Sequence, residues 1–285
     1  MSSRRLARSD PAYPPLLAAI FDPPPQLWVR GEADPELLMR PAVGVVGARA
    51  CSAYGRAVAR SLARDIAAAG VVVVSGMARG VDSEAHRGAL EAGGITVAVL
   101  GCGIDRNYPA AHAELAAQIC ESGLIVSEYE PGVEPAPWRF PARNRIISGL
   151  SRAVVVVEAR ERSGALITVD FALEQGREVL VVPGEITSAL SAGANALLRL
   201  GAAPALSVDD VLEAIGVVVE KPARAEPEGD AGRVFAVIRD APATADEVAR
   251  AVALPAAEVA ALLTALELDG LIETGDGAYR ATIAA

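Results

Sequence analysis

Five short glycine-bearing segments stand where a run of alternating strands and helices would expose its loops. They are Gly47-Ala48-Arg49, Gly76-Met77-Ala78-Arg79-Gly80, Gly101-Cys102-Gly103, Ser163-Gly164-Ala165-Leu166-Ile167-Thr168 and Pro183-Gly184. Glycine lets the backbone approach a ligand and reach positive φ. Amides at the start of a helix point at an anion, and the helix dipole favours negative charge there. Arg49 and Arg79 add charge-assisted, bidentate contacts suited to phosphate. The hydroxyls of Ser163 and Thr168 can donate hydrogen bonds at a helix start. One such loop is ordinary turn chemistry; five together, with two arginines, predict an edge that holds phosphate.

A sixth segment, Trp138-Arg139-Phe140-Pro141-Ala142-Arg143-Asn144-Arg145, interleaves two aromatics with three arginines. Bases stack on rings while guanidinium groups pair with phosphates, and each stacked base is worth roughly 1–3 kcal/mol. The competing reading makes Phe140 a core residue and Trp138 a surface plug. Catalytic machinery is sparse. His86 and His112 are the two histidines, and a lone histidine is more often a structural hydrogen-bonding residue than a base. Asp82, Glu84 and Glu174 are read first as helix-terminal charges. There is no G-x-x-x-x-G-K-[ST], and Arg106 stands where a dinucleotide fingerprint after Gly101-x-Gly103 requires glycine. Cys51, Cys102 and Cys120 are odd in number and widely spaced, which argues against disulfides and zinc. No cofactor, metal or catalytic residue is expected.

The net charge of −10 argues against a nucleic-acid partner when taken as a total. Its distribution says otherwise. Residues 139–162 carry six arginines against two glutamates, whereas residues 221–285 carry 6 basic and 11 acidic residues. A local arginine cluster in an acidic chain suggests a confined anion site. Arg152, Arg160 and Arg162 are read as members of surface ion pairs. No apolar run reaches membrane length and no secretory signal is visible, so a cytoplasmic protein is expected.

These loops need a scaffold, and the pattern supplies one. Val43–Val46, Val71–Ser75, Ile95–Leu100, Leu124–Ser127, Ala153–Glu158 and Glu178–Val182 read as short buried strands. Helices are expected at Tyr54–Ala69, Asp82–Glu91, His112–Glu121, Arg143–Leu150, Leu166–Gln175, Ala194–Leu200 and Val208–Ile215. The fold class is α/β: an extended Rossmann-like, doubly wound, mainly parallel sheet with a small C-terminal winged-helix domain. Residues 1–40 form a proline-rich lead-in with one helical stretch, Leu16–Phe21. Residues 41–216 form the main domain, 217–231 a linker and 232–285 the winged helix. In that last part Thr244 caps Ala245–Val252 with Glu247 as capping-box partner. Ala256–Asp269 makes a longer helix, and Gly275-Asp276-Gly277 turns a hairpin. Its helix Pro255–Asp269 carries no lysine or arginine, so the module is expected to contact protein rather than duplex DNA.

The chain resembles the DprA/Smf family of DNA-processing proteins. The resemblance rests on Tyr13-Pro14, Val46-Gly47-Ala48-Arg49, Ser75-Gly76-Met77-Ala78-Arg79-Gly80-Val81-Asp82, Tyr108-Pro109, Ser127-Glu128-Tyr129, Phe140-Pro141-Ala142-Arg143-Asn144-Arg145, Ser163-Gly164 with Thr168, Gln175-Gly176-Arg177 and Pro183-Gly184. It implies single-stranded DNA as ligand, a homodimer, loading of the recombinase RecA, and a role in natural transformation and recombination. It implies contacts by Gly47, Arg49, Gly76, Arg79, Phe140, Arg143, Arg145, Ser163, Gly164 and Thr168. Gly80, Arg139 and Asn144 complete the candidate set. Two departures stand out. Ala48 and Ala50 replace the family's usual serine and lysine, and the lead-in is too short for the helical domain that begins many relatives. The rival reading is a nucleoside-phosphate-processing or nucleotide-sensing protein of the related LOG-like fold, with Glu174 as its best candidate catalyst.

Overall fold

The computed structural model describes residues 3–218, 227–275 and 277–282. The chain divides into two compact units, Met1–Val218 and Val219–Ala285. Most of the expected linker lies at 219–226, outside the described residues, as does Asp276 in the hairpin turn.

The first unit opens with β1 (Arg4–Ala7), α1 (Pro15–Ala18) and β2 (Gln26–Arg30). Next come β3 (Ala42–Val46), α2 (Ala53–Ala68), β4 (Val72–Ser75), α3 (Val81–Glu91), β5 (Thr96–Leu100), α4 (Ala113–Ser122) and β6 (Leu124–Ser127). The last stretch contains α5 (Arg139–Leu150), β7 (Ala153–Val156), α6 (Gly164–Glu174), β8 (Glu178–Val181), α7 (Ala192–Arg199), β9 (Ala203–Pro204) and α8 (Val208–Ala214). The strands form one nine-stranded sheet in the order β1-β2-β6-β5-β4-β3-β7-β8-β9. From β6 to β9 every pairing is parallel. Every residue of β3, β4, β5, β6 and β7 is buried, as a parallel sheet covered on both faces requires. Each buried valine there contributes roughly 1.5–3 kcal/mol.

The helices cover the sheet with small residues. Helix α2 is capped by the Ser52 hydroxyl, which accepts from the Gly55 amide, and buries the stripe Val58, Ala59, Leu62, Ala63 and Ile66. It packs tightly on α3, where Gly88 lies against the Arg60 carbonyl.

Four elements differ from the sequence reading. The lead-in does more than pack on the domain: β1 pairs antiparallel with β2, and β2 pairs antiparallel with β6. The alternation that places Leu27 and Val29 inward spans only five residues amid prolines. The helical stretch is Pro15–Ala18, begun by a proline in its first turn, and Phe21 is fully exposed beyond it. Helix α5 starts at Arg139 rather than Arg143; Pro141 sits in its first turn, where a missing N–H costs nothing. Finally, β9 adds an edge strand of two residues, and Pro204 is tolerated there because the edge needs no further donor.

The second unit comprises α9 (Gly229–Asp240), α10 (Ala245–Val252), α11 (Ala256–Leu268) and the antiparallel pair β10 (Ile272–Gly275) and β11 (Ala278–Ala281). The Thr244–Glu247 capping box is present. Val234, Ile238, Val248, Val252, Val259, Leu263, Leu266 and Ile272 form its own core.

Candidate nucleic-acid interface

Between β3 and β7 the order of the sheet reverses. The chain steps from β3 through β4 and β5 to β6 on one side, then from β7 to β9 on the other. Ligands of open α/β sheets bind at such a switch point, beyond the carboxyl ends of the strands. A groove of about 450 Å³ lies there, lined among others by Gly47, Arg49, Arg143, Arg160, Arg162 and Gly164. A second lobe of about 410 Å³ shares Arg49, Phe140 and Arg143 with the first and continues to Gly76, Arg79, Gly101 and Tyr108.

Phe140 lines both lobes and stacks on Tyr108, which lines the second. The rings of Tyr108 and Phe140 lie 5.0 Å apart at 26°, and the Arg49 guanidinium sits 5.7 Å from the Phe140 centroid. Among the described residues Arg49, Arg79, Arg160 and Arg162 have no carboxylate within ion-pair reach. Arg160 and Arg162 are exposed and line the groove. The expectation that they form surface ion pairs is therefore corrected, and sequence reasoning missed both as site residues. Arg152 donates to the Ile215 carbonyl at 3.3 Å. The missed signal was position: Arg160 and Arg162 lie in the loop that joins β7 to the start of α6.

The other candidates divide by what they touch. Arg143 is buried and donates to the carbonyls of Gly76, at 2.6 Å, and Val99. Burial lowers its pKa to about 10, so it stays charged near neutrality. Beside it, Asp82 accepts from the Ala78 amide at 3.3 Å. Burial pushes its carboxyl above the usual range, against the weaker opposing pull of Arg143. Gly76 leaves space for this pair, since a Cβ there would meet both side chains. Gly80 has φ of 78° and abuts the Ala48 carbonyl, where a side chain would be both strained and blocked. Gly47 packs on Val81 and the Glu158 carbonyl.

Arg145 turns away from the groove. It holds both oxygens of Glu128 at 2.9 and 2.8 Å and the Asp22 carboxylate at 3.2 Å. Asn144 donates to the Gly164 carbonyl at 3.1 Å and so ties α5 to the first turn of α6. Arg139 lies between the rings of Tyr129 and Trp138, 4.9 and 5.0 Å from their centroids, and donates to the Glu134 carbonyl. Trp138 is 63% exposed. Ser163 caps α6 by accepting from the Ala165 amide at 3.3 Å. A Cβ on Gly164 would meet nothing within 4 Å. Thr168 is buried at the groove floor.

One helix start is closed to a ligand. The buried Glu158 carboxylate accepts from the Ser52 hydroxyl and amide at 2.6 and 2.9 Å, directly at the beginning of α2. A Cβ on Gly55 would overlap it, which explains a glycine in the first turn of a helix. The start of α6 lies on the groove, where Gly164 leaves open space.

His86 and His112 serve as internal hydrogen-bonding groups, bonded to Thr96 and to the Met77 carbonyl. Glu84 pairs with Arg60 and Arg87, and Glu174 does not line the groove. Among the described residues no cluster of His, Cys, Asp or Glu could hold a metal, and no single helix is long and apolar enough to cross a membrane. The three cysteines are buried and unpaired.

Comparison with known proteins gives consistent matches. The family model described as DNA recombination-mediator protein A matches residues 4–216, and that of the DprA winged helix domain matches residues 218–278. The putative DNA processing protein DprA of Mycobacterium tuberculosis is 43% identical over 266 residues, covering 89% of this chain and 68% of the relative. The crystal structure of DNA processing protein A from Streptococcus pneumoniae aligns with a TM-score of 0.70 at 42% identity, over 75% of this chain and 74% of that one. A structure of the Helicobacter pylori protein, which addresses its single-stranded DNA binding mode, aligns with a TM-score of 0.67 at 30% identity, over 75% and 95%.

Proposed function

The chain belongs to the DNA recombination-mediator protein A family, and from that premise we propose that the groove at its β3–β7 switch point binds single-stranded DNA. The observation that carries this is the set Arg49, Arg79, Arg160 and Arg162, four guanidinium groups without a carboxylate partner among the described residues, along a groove that also presents the Tyr108–Phe140 stack. Phosphates take the arginines and the open α6 start; bases take the rings. In a chain of net charge −10 this is a confined place for a polyanion. Arg143, Asn144 and Arg145 then act mainly by holding loops, and Gly47, Gly76 and Gly80 by close packing.

The role is binding rather than catalysis. Neither Glu174 nor either histidine reaches the groove, which disfavours the nucleoside-phosphate enzyme reading. To this we add, as further parts of the proposal that the family resemblance supports, a DNA-processing role in transformation, loading of RecA and homodimer formation. The winged-helix unit is assigned to protein contact, because α11 offers Glu258 and Glu267 and no cation to a DNA groove.

Titration of labelled oligothymidylate against wild type and Arg49→Ala tests the reading. Arg49→Ala is expected to weaken binding about tenfold or more. It is also expected to reduce the salt dependence by roughly 0.7 of a log unit per log unit of salt. Unchanged affinity, or a mononucleotide that competes on equal terms, overturns it.

A further inference from the structure

The loop Gly76–Gly80 contains an uncommon backbone conformation. Met77 has φ of 61°, left-handed, although it carries a long side chain and is 2% exposed. L-residues avoid this region because Cβ crowds the following carbonyl, and glycine is the usual occupant. Such a conformation persists only where the surroundings over-determine it.

Three side chains hold it, and one of them is Asp82, which accepts from the Ala78 amide of the Met77–Ala78 peptide at 3.3 Å. The carbonyl of Gly76 accepts from Arg143 at 2.6 Å, and the carbonyl of Met77 accepts from His112 Nδ1 at 3.0 Å. Since a carbonyl only accepts, Nδ1 carries the proton. His112 is itself buried and comes from the short 3-10 turn Ala110–His112 that leads into α4, after Tyr108-Pro109. Both carbonyls are thereby drawn away from solvent. If Met77 relaxed to an ordinary conformation, its peptide plane would rotate, its carbonyl dipole would leave His112, and Arg79 two residues on would shift with it. Arg79 is exposed and lines the second lobe of the groove.

We infer that His112 is a positioning residue for single-stranded DNA, holding Met77 in its left-handed conformation so that Arg79 faces the groove. The inference rests on the proposed single-strand reading of that groove. His112 makes no contact with DNA in this scheme; its effect passes through Met77 to Arg79.

The test is a set of variants in the full chain, titrated with labelled oligothymidylate at several salt concentrations, with thermal melting as the check on folding. Arg79→Ala is expected to weaken binding about tenfold and to lower the salt slope by roughly 0.7. His112→Phe fills the same space without a donor and is expected to reproduce both changes. His112→Asn places an amide N–H near the Nδ1 position and is expected to return affinity and salt slope to wild type. His112→Gln carries its amide one bond farther and does not, which provides a second variant should His112→Phe fail to fold. In the Arg79→Ala background, His112→Phe adds nothing further. If Arg79→Ala weakens binding while His112→Phe and His112→Gln match wild type, the role of His112 is overturned and the groove reading stands. If Arg79→Ala itself leaves affinity and salt slope unchanged, both fall.

Discussion

The carboxylate of Glu158 is clasped by Ser52, whose hydroxyl and amide donate to it at 2.6 and 2.9 Å. The start of α2 therefore carries its own anion. In many nucleotide-binding α/β proteins the first strand-to-helix turn is where a pyrophosphate sits. Here the side chain of Glu158, two residues beyond β7, fills that role, and Gly55 makes room for it.

This separates two substitutions at one position. Glu158→Ala deprives the part-buried Ser52 amide and hydroxyl of their charged partner, with an expected stability loss of about 2 kcal/mol in urea denaturation. Glu158→Gln keeps a partner for both Ser52 groups, so its midpoint stays close to wild type. It also removes a negative charge from beneath the groove, so oligothymidylate binding should tighten. Equal destabilisation by the two variants would show that the charge, not the hydrogen bonding, holds the turn.

The arginines of the groove should divide into two classes. Arg160→Ala and Arg162→Ala are each expected to reduce the salt slope of single-strand binding by roughly 0.7 with no change in melting temperature, since neither has a carboxylate partner among the described residues. Arg145→Ala should do the reverse. It strands Glu128, whose side chain is only 15% exposed, and should cost about 3 kcal/mol of stability before any effect on DNA.

His86 predicts a pH dependence of stability. Thr96 Oγ1 donates to the Val73 carbonyl, so in its 2.7 Å bond to His86 it accepts from Nδ1. Burial lowers the pKa of the ring from 6.5 to about 3. Between those values the unfolded chain binds a proton that the folded chain does not. Stability therefore falls as pH drops from about 6.5 to about 3, by at most about 1.4 kcal/mol per pH unit from this group. His86→Asn keeps a donor for Thr96 and cannot titrate. Its urea midpoint should fall less steeply than wild type between pH 6.5 and 4.5; parallel curves would assign the acid sensitivity elsewhere.

The parallel sheet was legible because valine-rich strands such as Ala153–Val156 are buried on both faces and announce themselves without periodicity. The glycines and Arg49 were legible because strand ends are where ligands meet such sheets. Less visible was whatever depends on distant partners. Nothing local distinguishes Arg145, which meets Glu128 and Asp22, from Arg160, which meets neither. Strands β1 and β2 went unseen because Leu27 and Val29 acquire their meaning only when β2 pairs with β6. The clasp of Glu158 by Ser52 spans 106 residues, and Met77 reveals its conformation only in three dimensions.

Gly164 gives the sharpest opposition between stability and binding. It is the first residue of α6, its φ is not in the left-handed region, and a Cβ would enter open space. Nothing in the fold requires glycine there. Alanine at that position should stabilise the protein by about 0.4–1 kcal/mol, because it reduces the freedom of the unfolded chain without native strain. The open space lies on the groove, at the helix start where a phosphate oxygen would approach the Gly164 amide. A methyl group there keeps that phosphate at a distance. Gly164→Ala is thus expected to raise the melting temperature and weaken oligothymidylate binding together. If melting rises and affinity is retained, the α6 start is not where phosphate sits.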